Sequence, residues 1–322
     1  MHFGLSASNP NASRFELDNG QTKLIFRGGY APSFLDELKS GGFDIVVIST
    51  GHWEDLGWLA EAGVPIPRLE IVSACESYCG LERISGLFEL SVDDRLDGVE
   101  LSSFSNLTSL SLFWSKSIKG KISSLKKLES LTVSYYGEKN LVEFQNLSNL
   151  KSLDLRMGSI KSLAGVDSCT QLSHFELAYL RSLEDVNAIE NLRNLKIITI
   201  EKCPKVTNID FLKNLSYLEK IHVECGCESI DGIELFLGMA RLKRLLIGVQ
   251  AKEVAWEKLF TLPCLEEVLI DIPAGDLPDE EYIQQVCRKV GREVFEFEVS
   301  GTRKKPWIGC KLGRLPSCAG PA

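Results

Sequence analysis

The side chains most able to do chemistry in this 322-residue chain are four histidines and ten cysteines. His52 is followed by Trp53, Glu54 and Asp55, which sets an imidazole beside two carboxylates, the makings of a general acid–base pair. A hydrolase using His52 with Glu54 or Asp55 is therefore the catalytic alternative; a polar helix start accounts for the same residues. Cys75/Cys79 and Cys225/Cys227 are the close cysteine pairs, and neither belongs to a CxxC…CxxC array of the kind that holds zinc. No GxSxG, HExxH or P-loop occurs, and Gly28-Gly29 and Gly41-Gly42 read as turns rather than a phosphate cradle. The expectation is a protein without catalysis, cofactor or metal.

Composition narrows the partners. The chain is 44% hydrophobic and 25% charged, with a net charge of −8. Residues 301–322 hold five bases and no acid, which leaves −13 on residues 1–300. An acidic body repels phosphate backbones, so the expected partner is a basic protein and not nucleic acid. No apolar run reaches the roughly 20 residues of a membrane span, and the first residues lack a basic and apolar leader. With ten cysteines read as reduced thiols, the expected location is cytoplasmic.

The elements that would position any site come from a repeat. The pattern apolar-x-x-apolar-x-apolar occurs at Ile66/Leu69/Ile71, Leu87/Leu90/Val92, Leu107/Leu110/Leu112, Leu128/Leu131/Val133 and Leu150/Leu153/Leu155. It recurs at Leu172/Phe175/Leu177, Leu195/Ile198/Ile200, Leu218/Ile221/Val223, Leu242/Leu245/Ile247 and Leu265/Val268/Ile270, with starts 20 to 24 residues apart. Apolar residues also precede the strands at intervals of three, as in Leu183, Val186, Ile189 and Leu192 before Leu195. That period fits neither a strand nor a 3.6-residue helix, but suits a 3₁₀-like segment with one side inward. Each unit is then a short strand, a turn and a tight return, able to bury its apolar side only by stacking on its neighbours.

The density of L-x-x-L-x-L, as in Leu150-Lys-Ser-Leu-Asp-Leu155, resembles the leucine-rich repeat family in its short class of about 22 residues. The resemblance implies an α/β solenoid, a curved right-handed superhelix with a concave parallel β-sheet. One position departs from the family pattern. Three residues after the last strand leucine the family has Asn or Cys, whereas Ser115, Tyr136, Gly158, Leu180, Cys203, Gly226 and Gln250 stand here. The expectation is irregular turns.

The ends read as caps. Phe15–Leu17, Asp18-Asn19-Gly20 and Leu24–Phe26 spell a β-hairpin, and Phe43/Val46/Ile48 a degenerate repeat. Residues 33–38, N-capped by Ser33, and 53–62 read as helices. Residues 278–290 read as an amphipathic helix, and Val294/Phe297/Val299 as a final strand. The expected organisation is an N-terminal cap with degenerate repeats at 1–65, repeats at 66–277, a helix–strand cap at 278–300 and a flexible basic tail at 301–322.

Residues between the strand leucines face outward in three columns. Over ten repeats these thirty positions carry nine acids and four bases. Asp154, Arg156, Glu176, Glu201, His222 and Glu224 lie among them, with Phe113, Trp114, Tyr135, Tyr136 and Tyr179 in or just past the third column. Aromatics beside carboxylates have the composition of a protein-binding hot spot. The eleven residues form the candidate protein-binding site of a monomeric, non-catalytic interaction module. Two narrower versions are an inhibitor or immunity protein neutralising a basic toxin or nuclease, and a regulatory scaffold of a phosphatase or ubiquitin-ligase complex.

Overall fold

The computed structural model describes residues 3–5, 10–118, 122–302, 305–313 and 315. The chain divides into two compact units. The first is Met1–Gly137 with Glu143–Leu150, and the second Glu138–Val142 with Lys151–Ala322. The boundary between them falls inside the repeats.

In the first unit the strands are β1 (Phe3–Leu5), β2 (Ala12–Glu16), β3 (Thr22–Phe26), β4 (Ile45–Ile48), β5 (Arg68–Ile71), β6 (Glu89–Arg95), β7 (Ser109–Phe113) and β8 (Ser130–Ser134). The pairs β1–β2 and β2–β3 are antiparallel, and every pair from β3 to β8 is parallel. The hairpin is as expected, with Ala12 opposite Phe26 and Glu16 opposite Thr22. The first helix forms where expected, and the second is much shorter than the sequence implied. In α1 (Ser33–Lys39) the N-cap is Pro32 rather than Ser33, and α2 holds only Trp58–Glu61. Trp53 instead makes a bridge to Cys75 and is buried with Phe26, Phe34 and Trp58, where aromatic packing outweighs helix propensity.

The second unit holds β9 (Ser152–Arg156), β10 (His174–Ala178), β11 (Ile197–Cys203), β12 (Lys220–Cys225), β13 (Ser229–Asp231), β14 (Arg244–Ile247), β15 (Gln250–Lys252), β16 (Glu267–Asp271), β17 (Val294–Thr302) and β18 (Lys305–Leu312). Its main sheet runs β9-β10-β11-β12-β14-β16-β18-β17, parallel as far as β16. The repeat sets the register: Leu153, Phe175, Ile198, Ile221, Leu245 and Val268 follow one another across it, and all are buried. The segments with period three are 3₁₀ turns, among them Asn187–Asn191 and Asp210–Asn214. They turn Ile189, Leu192, Leu212 and Leu215 into the core. Two helices, α3 (Trp256–Phe260) and α4 (Glu280–Lys289), complete the unit.

The expected basic tail is in large part a strand. Residues 305–312 pair antiparallel with β16 on one side and β17 on the other. The cap strand β17 is therefore not beside the last repeat; β18 stands between them. Pro306, Ile308, Cys310 and Leu312 alternate inward, which is strand periodicity among residues whose charge and glycines drew attention away from it. Arg303, Lys304 and Arg314 lie outside the described residues. Arg292 ties the cap to the last repeat: its buried guanidinium donates to the carbonyls of Leu262, Pro263 and Leu265. No helix among the described residues is long and apolar enough to cross a membrane.

Candidate functional site

The turn after each strand decides which side chains reach solvent. Tyr135, Met157, Tyr179 and Lys202 each follow the third outward position, 22 or 23 residues apart, and each has φ between 53° and 60°. The backbone N–H of Met157 donates to Ala178 O, and that of Tyr179 to Glu201 O, so the ladder extends one residue past the strand. The left-handed residue then redirects the chain so that the next side chain, such as Leu180 or Cys203, is buried. The four turns at the ends of β8, β9, β10 and β11 are thus alike, while those after β6, β7, β12, β14 and β16 have no left-handed residue at this place. A left-handed turn normally announces itself by Gly or Asn, and tyrosine, methionine and lysine at these four positions hid it. Cys203 makes side-chain bonds to the backbone of its turn: its Sγ donates to the carbonyls of Leu177 and Glu201.

This geometry sorts the expected aromatic residues. Tyr135 and Tyr179, at the left-handed positions, are 51% and 46% exposed. Tyr136, one residue on, is buried at 0%, and Trp114 at 6%. The rings of Trp114, Tyr136 and Phe144 pack together in the core of the first unit. Trp114 and Tyr136 therefore hold the repeat together and offer no area to a partner. In the same unit Phe113 stands edge-on to Tyr135, with ring centroids 5.2 Å apart.

In the second unit the sheet aligns Asp154, Glu176, Thr199 and His222 in one outward row, and Arg156, Ala178, Glu201 and Glu224 in the next. Arg156 bridges two carboxylates, with Nε 2.8 Å from Asp154 Oδ2 and a terminal nitrogen 2.9 Å from Glu176 Oε1. Those bonds, that to Asp154 first, raise the pKa of the guanidinium further. Desolvation, then the charges of Asp154 and Glu201, raises the Glu176 carboxyl above its ordinary value, while Arg156 and His222 pull the other way. Lys202 Nζ lies 2.6 Å from Glu224 Oε1. At the far end of the face Arg244 pairs with Glu267.

Most of the expected negative charge is therefore answered by a neighbouring base. Glu201 is different: it has no ion-pair partner among the described residues, and its carboxylate is hydrogen-bonded by the Tyr179 hydroxyl, which raises the tyrosine's pKa. The sheet thus brings together Asp154, Arg156, Glu176, Tyr179, Glu201, His222 and Glu224 in the second unit. Phe113 and Tyr135 belong to the first. Met157 and Lys202 were missed in the sequence; their fixed offset from the strand leucines was the signal that could have found them.

The catalytic alternative fares differently. His52 is well exposed and lies 3.5 Å from Glu76, not from Glu54, while Asp55 accepts a hydrogen bond from the Gly57 backbone. The nearby Cys75 thiol is pushed up to about 12, by burial first and by Asp94 second, which is the opposite of an activated nucleophile. No cluster of three or more metal-ligating side chains exists among the described residues. Among the described residues eight cysteines are free thiols, but Cys264 is disulfide-bonded, so the expectation of reduced thiols throughout does not hold there.

Solved structures with this architecture include an internalin from Listeria monocytogenes. It has a TM-score of 0.52 at 18% identity, over 77% of this chain and 80% of that one. Another is a leucine-rich repeat protein from Leptospira interrogans, with a TM-score of 0.54 at 18% identity; it covers 69% of this chain and 58% of its own. At such identity the likeness is one of fold. No family model matches the chain, and no curated protein does.

Proposed function

We propose that this chain, which has the leucine-rich repeat fold, is a non-catalytic module that binds a basic protein through the outward face of its parallel sheet. The observation that carries the reading is the row of left-handed residues in the second unit. Met157 and Tyr179 are bulky, solvent-exposed and held at φ 54° and 58°. Bulky side chains at positive φ cost roughly 1–3 kcal/mol each, and such strain concentrates where a side chain must be presented to something. Beside them Glu201 keeps an uncompensated carboxylate. Apolar anchors next to a carboxylate that no base among the described residues pairs with suit a partner that brings a cation and a flat apolar surface. The charge of −13 on residues 1–300 favours the same partner by steering its approach.

The test is affinity capture from lysate, comparing the parent chain with Glu201→Lys and with Tyr179→Ala. The reading expects a basic protein retained by the parent and lost from both variants at unchanged melting temperature. Equal retention by all three would remove this face as the binding surface. Turnover of an ester or phosphate substrate that disappears in His52→Ala would replace the reading with the hydrolase.

A further inference from the structure

At the C-terminal end of the second unit the outward face changes character. The middle outward row is polar from Asp154 to His222, then continues as Leu246 and Leu269. In β18 the same face carries Trp307, Gly309 and Lys311. A cavity of about 220 Å³ opens there, lined by Leu269, Trp307, Gly309, Glu296, Glu298 and Lys311. Gly309 shapes it. A Cβ at that position would come within 3.2 Å of Trp307 Cζ3, so the indole lies down along the sheet over the glycine. Side chains two apart on one strand share a face, so a side chain at 309 would press on the ring and shift it by a few tenths of an ångström or more.

The charges around the indole do not cancel. Lys311 is paired with Glu296, and Arg244 with Glu267. Glu298, the register partner of Gly309, has no ion-pair partner among the described residues. The cavity therefore combines an apolar floor at Leu269, an aromatic surface at Trp307 and the Glu298 carboxylate, which has no ion-pair partner among the described residues. We propose that it is a socket for a single arginine side chain of a protein partner. A guanidinium is planar, stacks on an indole and takes a carboxylate in its own plane, whereas an ammonium is a point charge with no flat face to stack and no fork to offer the carboxylate. The socket rests on the reading that a basic protein docks on this sheet face, and it names the residue that the partner inserts at this end.

The other four tryptophans, Trp53, Trp58, Trp114 and Trp256, are buried, so the partly exposed Trp307 is a clean reporter. The experiment titrates the full chain with N-acetyl-argininamide at roughly millimolar concentrations and follows the five indole N–H resonances by NMR. The neutral isostere N-acetyl-citrullinamide is run in parallel. The resonance missing from Trp307→Phe is expected to shift saturably with the arginine probe. The citrulline probe, Glu298→Gln and Gly309→Ala should each weaken that binding about fivefold or more. No shift at Trp307, or equal shifts with both probes, overturns the socket, as does undiminished binding in Glu298→Gln. Such a result alongside partner capture still lost in Glu201→Lys would leave the face reading standing. A saturable, charge-dependent shift with no partner captured would leave the socket and remove that reading.

Discussion

A tyrosine in the left-handed region costs about 1–2 kcal/mol that a glycine does not pay. Tyr179→Gly should therefore be more stable than Tyr179→Ala by about 1 kcal/mol in urea denaturation, although it removes more side chain. Equal or reversed stabilities would mean that φ at 179 is not fixed. Glu176 gives a pH-dependent counterpart. Its folded-state pKa is raised, so between the ordinary and the raised value the folded protein holds more protons than the unfolded chain, and stability falls as pH rises through that window. Glu176→Gln is expected to melt higher than the parent at pH 7. The gain should vanish once pH drops below the ordinary carboxylate range, as followed by calorimetry at several pH values. The thiols divide as sharply. Burial pushes Cys169, Cys203, Cys225 and Cys287 up to about 11, and Cys310 to about 12. Alkylation at pH 8 followed by peptide mapping should label exposed Cys79 well before any of these.

At the scale of the element, two glycines and one cap are the points of least tolerance. A Cβ on Gly226 would lie 1.7 Å from Pro204 O, and one on Gly165, with φ +106°, would lie 2.6 Å from the backbone of Leu141. Either Gly→Ala change should cost about 2 kcal/mol or more. In α4 the Asp279 carboxylate accepts from Tyr282 N, and Asp279→Ala should cost about 1 kcal/mol. Thermal denaturation of the three variants checks all of these, and an unchanged melting temperature for Gly226→Ala would contradict the turn geometry. Strands and 3₁₀ returns were legible in the sequence because apolar residues at fixed offsets must point into a shared core. The turns were not, because backbone handedness leaves no mark when Tyr, Met and Lys occupy positions usually given to glycine. Strand β18 was obscured for a related reason: Trp307, Gly309 and Lys311 face solvent, and only every second residue speaks for burial.

For the molecule as a whole, the legible part of the site was its chemistry and the illegible part its pairing. The sequence marked the acids and aromatics of the outward columns. It did not show that Arg156, Lys202 and Arg244 pair with Glu176, Glu224 and Glu267, or that Trp114 and Tyr136 turn inward, since both depend on neighbours some 20 residues away in the chain. The surplus of −13 on residues 1–300 remains and acts at a distance. Association with a basic partner should slow steeply between roughly 50 and 500 mM salt as the Debye length shortens, while dissociation changes little. Stopped-flow or surface-based kinetics would show it, and a salt-independent association rate would exclude steering. The most direct test of recognition by the sheet face is hydroxyl-radical footprinting of the chain alone and with its captured partner. Met157 and Tyr179 are predicted to lose reactivity in the complex, while Tyr217 and Tyr282, exposed but off this face, keep theirs. Protection of Tyr217 or Tyr282 with Met157 and Tyr179 still fully reactive would contradict the account.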